Sequence, residues 1–463
     1  MDGLKNNIFP DNIHKLEMLS VDEQPKLFIE TYGCQMNVSD SEVVAAIMQQ
    51  KGFNITYNIK EADLILVNTC SVRDNAEQRV RGRLDVLRQL KKNKPSLMVG
   101  VIGCMAERLK EKFLEEEKVV DLIAGPDSYR DLPNLIASAG TGMRAINVLL
   151  SNEETYADIS PVRLDENKVS AFISIMRGCN NMCAYCVVPY TRGAERSRNA
   201  QTIVNEAQEL FSNGYREVTL LGQNVNSYSC KDDSGNEINF ARLIEMAALI
   251  NPLLRIRFAT SHPKDLSDEL LYTMAKYPNI CKSIHLPVQS GSSRILKLMN
   301  RKYTREWYFN RIKAIKNILP ECSISTDLIA GFCSETENDH KQTLSLMREV
   351  KYDFAYMFKY SERPGTYAER HLKDDVPDEI KLHRLLEIIN LQNSLSADSK
   401  RQDIGKTFEV LVEGFSKKSD VELSGRTSQN KVVVFPKMNF KPGNFVSVHI
   451  TKCTPATLIG EGV

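Results

Sequence analysis

The feature that most constrains the fold is an alternation of short apolar runs with amphipathic segments, which occurs twice along the chain. Between Lys26 and about Ser151, each of three apolar runs precedes a helical pattern; the runs are KLFIET, DLILVNT and LMVGVIG. Strand–helix alternation of this kind predicts a parallel sheet with helices on its faces. We therefore expect an N-terminal open parallel-sheet α/β domain at residues 26–150.

The alternation returns between Ser170 and about Tyr360, now with six strand-like runs. They read FISIMRG, EVTLLGQ, LRIRFAT, SIHLPVQ, SISTDLIAGF and DFAYMFKY. Six βα units predict a partial (β/α)6 barrel, whose chemistry would lie at the carboxyl ends of the strands. We assign residues 165–395 to this core, including a helix that leaves the barrel from about Pro377, and expect the polar connection 150–167 to be a linker.

The last part of the chain changes to a period of two residues, in the runs KTFEVLVEGF, KVVVF and NFVSVHITK. This pattern predicts a small antiparallel β-barrel at residues 398–463. Residues 1–25 are polar and lack the apolar core of a secretory signal, so they are expected to form an arm. No apolar run is long enough to span a membrane.

Charge and cysteine content restrict the class of protein. The 463 residues carry a net charge of only +1, so any contact with nucleic acid must be local. Eleven cysteines are an odd number in a chain without a secretory signal, which argues against a disulfide framework. Reduced thiols for metal binding or catalysis, and a cytoplasmic location, are the expectation.

Three of the cysteines, Cys34, Cys70 and Cys104, fall just past the carboxyl ends of the first three predicted strands. These ends line one edge of an open α/β sheet, so the three thiols should converge although they are distant in sequence. A lone cysteine is more often an inert buried thiol. Three in the same structural position favour a shared site.

The strongest motif is Cys179-Asn-Asn-Met-Cys183-Ala-Tyr-Cys186, directly after the first barrel strand. Thiolates at this spacing can hold one face of a cubane iron–sulfur cluster, and three ligands would leave one iron open. A zinc site is the alternative, although zinc usually takes a fourth Cys or His nearby. The preceding strand and the following βα units favour the cluster.

CxxxCxxC with an aromatic residue before the last cysteine, here Tyr185, resembles the signature of the radical S-adenosylmethionine (SAM) superfamily. The resemblance implies that SAM chelates the open iron. One electron from the reduced cluster would then cleave SAM to methionine and a 5′-deoxyadenosyl radical.

The second cysteine set and the β-rich tail resemble the methylthiotransferase family of radical SAM enzymes, in which the tail is a TRAM domain. This implies two [4Fe-4S] clusters, with the six cysteines as ligands and catalytic residues, sulfur held on the N-terminal cluster, and two SAM molecules per turnover. The segments TYGCQMN at 31–37 and SIMRGCNNMCAYCVVPYTRGAERSR at 174–198 are similar to the MiaB branch.

This branch acts on transfer RNA with an isopentenylated adenosine at position 37. Alternative substrates within the family are a ribosomal protein and threonylcarbamoyladenosine in tRNA. The resemblance also implies the tRNA anticodon stem-loop and a flavodoxin- or ferredoxin-like electron donor as partners. We expect a monomer without a membrane partner.

Other candidate residues follow from position and from the resemblance. SAM contacts are expected from Tyr185, Gln223, Asn224, Gln289, Ser325 and Asp327. RNA contacts are expected from Gln35, Asn37, Arg196, Arg198, Arg426, Thr427 and Lys431. The alternatives are that polar residues at strand ends satisfy loop backbones, that the arginines form a solvated edge, and that the last three lie in a surface turn.

Overall fold

The computed structural model describes residues 24–71, 74–165 and 167–463, so nearly all of the predicted arm lies outside the described residues. The chain forms two compact units. The first extends to Leu164 and also includes Arg177–Asn180 and Val187–Arg196. The second comprises Asp165–Met176, Asn181–Cys186 and Ser197–Val463.

The first unit is built on a six-stranded sheet with the order β2-β1-β3-β4-β5-β6, in which all neighbours are parallel. Its strands are β1 (Lys26–Thr31), β2 (Asn54–Ile55), β3 (Leu64–Thr69), β4 (Met98–Gly103), β5 (Leu122–Ala124) and β6 (Ala145–Asn147). Its helices are α1 (Gln35–Gln50), α2 (Asp74–Asn93), α3 (Cys104–Glu116), α4 (Leu132–Gly140) and α5 (Val188–Arg192).

Helices cover both faces of this sheet, which explains why its central strands are continuous apolar runs rather than alternating ones. On β3, Leu64 and Leu66 pack into one hydrophobic cluster with α1 and α4. Ile65 and Val67 pack into another cluster with α2 and α3. The predicted open α/β architecture is confirmed.

The connection expected to be a linker packs against this unit instead. Tyr156 and Ile159 are buried in the same cluster as α1. The Tyr156 hydroxyl donates to the carbonyl of Pro126 at 3.0 Å, and Arg163 pairs with Glu42 at 2.6 Å. Two buried side chains, a hydrogen bond and an ion pair thus hold this polar segment against the core.

The larger part of the second unit is the predicted partial barrel. Two parallel three-stranded sheets have the orders β13-β10-β7 and β14-β15-β16. These strands are β7 (Ser170–Ser174), β10 (Glu217–Leu221), β13 (Arg255–Ala259), β14 (Ser283–His285), β15 (Ser323–Ala330) and β16 (Phe354–Lys359). This unit also contains the short pair β11 (Ser229–Lys231) with β12 (Glu237–Asn239). One further short pair of the chain is β8 (Met176–Arg177) with β9 (Arg196–Ser197).

The helices around these sheets follow the predicted strand–helix alternation. They are α6 (Ala200–Ser212), α7 (Phe240–Ala248), α8 (Asp268–Lys276), α9 (Ser293–Leu298), α10 (Arg305–Ile318), α11 (Glu337–Val350), α12 (Tyr367–His371) and α13 (Asp378–Arg401). The last helix is longer than the sequence pattern suggested and leads directly to the C-terminal barrel.

The C-terminal residues form a closed five-stranded barrel with the order β17-β18-β19-β21-β20. Its strands are β17 (Thr407–Phe415), β18 (Glu422–Thr427), β19 (Val432–Pro436), β20 (Phe445–Cys453) and β21 (Leu458–Gly462). Every neighbouring pair is antiparallel except β19 with β21. Alternate residues such as Val410, Phe435 and Val448 fill its interior. Among the described helices, none is long and apolar enough to cross a lipid bilayer.

Candidate active site

The first unit brings three thiols to one edge of its sheet. Cys34 follows β1 and immediately precedes α1, Cys70 directly follows β3, and Cys104 is the first residue of α3 after β4. Because β1, β3 and β4 are adjacent parallel strands, their carboxyl ends lie side by side. Cys70 and Cys104 are buried, and Cys34 is exposed.

The loops that carry these thiols are tied to one another. Gly33 has a φ of +142°, and a Cβ there would lie 2.6 Å from the Cβ of Cys70, so only glycine allows this approach. Asn37 is fully buried and donates Nδ2 to the carbonyl of Thr69 at 3.1 Å. The hydroxyl of Ser71 donates to the carbonyl of Cys104 at 2.8 Å. These contacts fix the positions of the three cysteine loops relative to one another.

The thiols of this group differ in their electrostatics. The pKa of Cys34 is lowered to about 6, chiefly because the Cys70 thiol hydrogen-bonds to it and also because of the positive charge of Arg192. Burial raises the pKa of Cys104, and the nearby Cys34 and Asp40 add to that effect. One thiol is thus readily ionised, while another needs a cationic partner to ionise.

Arg192 at the end of α5 is that partner. Its Nε donates to Cys104 Sγ at 3.1 Å, and its Nη2 pairs with Asp40 Oδ2 at 2.7 Å. Asp40 also accepts Nη1 of Arg177 at 2.8 Å on its other oxygen. All these charged groups are buried. From its position after the CxxxCxxC motif, Arg192 was a candidate for contact with RNA phosphate or with the SAM carboxylate. Its pairing with Cys104 and Asp40 was not predicted, because these residues lie 88 and 152 positions away along the chain.

The CxxxCxxC motif is divided between the two units. Cys179 belongs to the first unit, where its N–H donates to the carbonyl of Gly193 at 3.2 Å. Gly178 has a φ of +76°, and a Cβ there would lie 2.0 Å from the carbonyl oxygen of Ala194. Glycine is therefore required immediately before the first cysteine of the motif.

Cys183 and Cys186 belong to the second unit. Nη1 of the buried Arg301 donates to Cys183 Sγ at 3.2 Å and to the hydroxyl of Tyr185 at 3.4 Å. The N–H of Ala184, which lies between the two cysteines in the sequence, donates to the carbonyl of Met299 at 3.0 Å. The loop is thus fixed through its backbone and through one of its thiols.

Residues 24–71, 74–165 and 167–463 contain no group of three or more His, Cys, Asp or Glu side chains spaced to hold a single metal ion. A cubane makes a different demand, since each cysteine binds a different iron atom of the cluster. The three thiols lie on loops that hydrogen bonds hold together, which suits a cubane. The buried guanidinium group beside one sulfur also fits, because bound thiolates are anionic.

Three family models match the chain. The Radical SAM superfamily matches residues 173–347, the TRAM domain matches residues 401–463, and an uncharacterized protein family, UPF0004, matches residues 26–125.

Curated relatives named tRNA-2-methylthio-N(6)-dimethylallyladenosine synthase match almost the whole length. The protein of Parabacteroides distasonis is 60% identical over 448 residues, which is 97% of this chain and 98% of the relative. The protein of Amoebophilus asiaticus is 60% identical over 446 residues, or 94% and 92%. The chain belongs to the tRNA-2-methylthio-N(6)-dimethylallyladenosine synthase family. The resemblance drawn from its motifs is confirmed.

A solved structure supports the fold of this synthase. The radical SAM methyltransferase TsrM from Kitasatospora setae, with cobalamin and a [4Fe-4S] cluster bound, is 12% identical and has a TM-score of 0.57. The similarity covers 87% of this chain and 80% of TsrM.

Two of the residues expected to contact SAM lie at the end of β10. The amide of Asn224 donates to Asp265 at 2.7 Å and accepts from the N–H of His262 at 3.1 Å, so its hydrogen bonds are made within the protein. Gln223 differs, because its Oε1 is buried without a partner among the described residues.

Other orphaned polar atoms lie near the same edge of this sheet. Ser174 Oγ ends β7, and Ser261 Oγ and His262 Nε2 follow β13; all are buried without a partner in the described part of the chain. Buried polar atoms are normally satisfied, so this edge fits a polar ligand such as SAM. Sequence reasoning missed Ser174, Ser261 and His262, although Ser261 and His262 directly follow the predicted strand LRIRFAT.

The other expected SAM residues lie on the second sheet. Ser325 Oγ is 3.0 Å from Nδ1 of His285, and Asp327 Oδ1 is 3.4 Å from its Nε2. The N–H of Gln289 donates to the carbonyl of Asp327 at 2.9 Å. His285 was not singled out, because a lone histidine carries no sequence signal; β14 and β15 place it beside two predicted residues.

The residues expected to contact RNA fall into two groups. Gln35 is exposed and Arg426 is partly exposed. Arg426 also pairs with Glu413, and the other five residues have partners inside the protein. RNA contact by all seven residues stays a prediction. Asn37 and Thr427 are fully buried, Arg196 pairs with Asp127, Arg198 pairs with Glu206, and Lys431 pairs with Asp403.

Proposed function

We propose that this protein is a methylthiotransferase that converts isopentenylated adenosine at position 37 of tRNA to its 2-methylthio derivative. The observation that carries this proposal is the convergence of Cys34, Cys70 and Cys104 on tied loops in a chain that also contains the CxxxCxxC motif. The near full-length similarity to synthases that bear this activity in their name supports it.

Two [4Fe-4S] clusters and SAM are the cofactors. Cys179, Cys183 and Cys186 would hold one cluster, and Cys34, Cys70 and Cys104 would hold the other. When bound, the first cluster with SAM would supply the radical chemistry at the adenine, the second cluster would supply the sulfur, and a second SAM molecule would supply the methyl group.

The chain's own residues position these groups. Arg301 orients the loop of Cys183, and Arg192 places a positive charge beside Cys104. Gln223 and the orphaned groups after β7 and β13 supply polar contacts for SAM. Burial of Cys70 and Cys104 limits the access of water to their sulfur atoms.

We assign these functions to separate domains of the chain. We infer an N-terminal methylthiotransferase domain at 26–150, a radical SAM core at 165–395 and an RNA-binding TRAM domain at 398–463. The anticodon stem-loop of tRNA is the substrate, and a flavodoxin- or ferredoxin-like protein supplies low-potential electrons. A cytoplasmic monomer is the inferred working form.

Replacement of Cys70 tests the proposal directly. The anaerobically purified wild-type protein should contain about eight iron atoms per chain, and Cys70→Ala about four. The variant should cleave SAM but form no methylthio nucleoside in mass spectrometry of digested tRNA. Cys230→Ala is the matched control, with iron and product unchanged. Undiminished product from Cys70→Ala, or zinc in place of iron, contradicts the proposal.

Product analysis distinguishes this substrate from two others that the same chemistry could modify. The protein is incubated separately with tRNA that carries isopentenylated adenosine but no methylthio group, with tRNA that carries threonylcarbamoyladenosine, and with ribosomal protein. Only the isopentenylated tRNA should give a methylthio product. The Gln35-Met36 pair after the first cysteine favours this outcome, since the branch that acts on a ribosomal protein typically has Pro-Lys at this point.

A further inference from the structure

Arg192 occupies an unusual place for an arginine. It is 3% exposed, and it lies in the first unit with its Nε 3.1 Å from Cys104 Sγ. Nη2 is taken by Asp40. Nη1 is also buried, and it has no hydrogen-bond partner among the described residues. A guanidinium N–H that has lost water without gaining a partner destabilises the fold, so an acceptor is expected there.

The surrounding charges point to the sign of that acceptor. Three buried arginines, Arg177, Arg192 and Arg196, share two buried carboxylates, Asp40 and Asp127. The array therefore carries a net charge of +1. Buried charge is stable only when it is compensated, so the array requires an anion.

Glu107, another buried carboxyl group of this unit, does not belong to the array. It lies three residues after Cys104, and its ion-pair partner is Lys110, whose Nζ lies 3.6 Å away. Arg192 is the member of the array that donates to a cysteine sulfur, so we place the compensating anion beside it.

We propose that Arg192 is the positioning and redox-tuning residue of the second cluster, through charge-assisted N–H···S hydrogen bonds from Nε to Cys104 and from Nη1 to sulfur of the cluster. This inference rests on the proposed function, because it requires that Cys34, Cys70 and Cys104 hold a cluster. The compensating anion is the thiolate-ligated cluster itself.

The consequence is a shift in reduction potential. Hydrogen bonds to cluster sulfur and nearby positive charge stabilise the reduced, more negative state, so Arg192 should raise the potential. Loss of this charge should raise the ratio of oxidised to reduced cluster at a given potential at least tenfold. For a one-electron couple this corresponds to a decrease of about 59 mV in the reduction potential of the cluster.

The test uses the full chain with Cys179, Cys183 and Cys186 replaced by Ala, so that only the second cluster is present. Arg192→Gln and Arg192→Lys are compared in this parent by electron paramagnetic resonance during anaerobic titration with dithionite. We expect the lowest potential for Gln, an intermediate one for Lys, and about four iron atoms per parent chain. Arg163→Gln removes a buried ion pair outside the array and should leave the potential unchanged.

A second measurement needs no change at Arg192. In the same parent labelled with ¹⁵N-arginine, pulsed electron paramagnetic resonance of the reduced cluster should detect a ¹⁵N coupling, which Arg163→Gln retains. A cluster with full iron and no ¹⁵N coupling overturns the inference, as does an unchanged potential in a cluster-bearing Arg192→Gln protein. Failure of the proposed function is distinguishable, because the unsubstituted protein would then lack about four of its eight iron atoms or its tRNA product.

Discussion

Nη1 of Arg301 donates to the sulfur of Cys183 at 3.2 Å, within the loop that carries the radical SAM motif. The same guanidinium group donates Nη2 to the carbonyl of Pro287 at 2.7 Å and Nε to the hydroxyl of Tyr303 at 3.0 Å. It therefore links one cysteine of the motif to the segment that follows β14. Burial of this group makes each of these bonds costly to lose.

Replacement of Arg301 should impair the first cluster selectively. In Arg301→Gln we expect at least a tenfold loss of 5′-deoxyadenosine formation, because the loop of Cys183 loses its fixed position. Iron bound by the Cys34, Cys70 and Cys104 set should remain. Chromatography of the SAM cleavage products and iron analysis measure both. Arg242→Gln, at an exposed arginine, is the control, and wild-type cleavage by Arg301→Gln would refute this role.

Gln223 and Asn224 are neighbours with opposite expected roles. Gln223→Ala should weaken SAM binding about three- to tenfold without loss of stability, because its buried Oε1 is free for a ligand. Asn224→Ala should lower the free energy of unfolding by about 1–3 kcal/mol, since it orphans Asp265 and the N–H of His262. Calorimetric SAM titration and urea unfolding distinguish them, with the exposed Gln208→Ala as control. Equal effects of both variants on SAM affinity would contradict this assignment.

Two basic residues of the C-terminal barrel are also expected to differ. Lys431 pairs with the buried carboxylate of Asp403 at 2.5 Å, so Lys431→Ala should reduce the free energy of unfolding by about 2 kcal/mol. Arg426 is 42% exposed, and Arg426→Ala should instead weaken tRNA binding and its dependence on salt, with stability nearly unchanged. Urea unfolding and filter binding at several salt concentrations test both, with exposed Lys452→Ala as control. If Lys431→Ala weakened tRNA binding and Arg426→Ala lowered the stability instead, the RNA contact would lie at Lys431.

The sequence predicted the scaffold because hydrophobic periodicity is local information. The six apolar runs after Ser170 all form strands, and three thiols could be placed together because parallel strands end at one edge. Each of these inferences needed only a run of about ten residues and a general rule of chain topology.

Partners that come from distant segments were not predictable in this way. Arg192 meets Cys104 and Asp40 across 88 and 152 residues, and no local pattern marks such a pairing. RNA contact by Asn37 stays a prediction, but the hydrogen bond from its amide to the loop of Cys70 was not foreseen, because this bond depends on the tight turn at Gly33. Polar side chains are therefore the least predictable part of the site, since their roles follow from packing.

Glu107 should make the stability of the protein depend on pH near neutrality. Burial raises its pKa from 4.5 to about 7. Between these values the folded protein keeps a proton that the unfolded chain has lost, so stability falls as pH rises through this window and is constant above it. Glu107→Gln cannot titrate, and relative to it the wild type should lose on the order of 2 kcal/mol between pH 5 and pH 8. Urea unfolding of both proteins at pH 5.5, 6.5, 7.5 and 8.5 measures the difference. A gap between the two proteins that stays the same at every pH would mean that this carboxyl is ionised throughout, and that its desolvation is offset by Lys110.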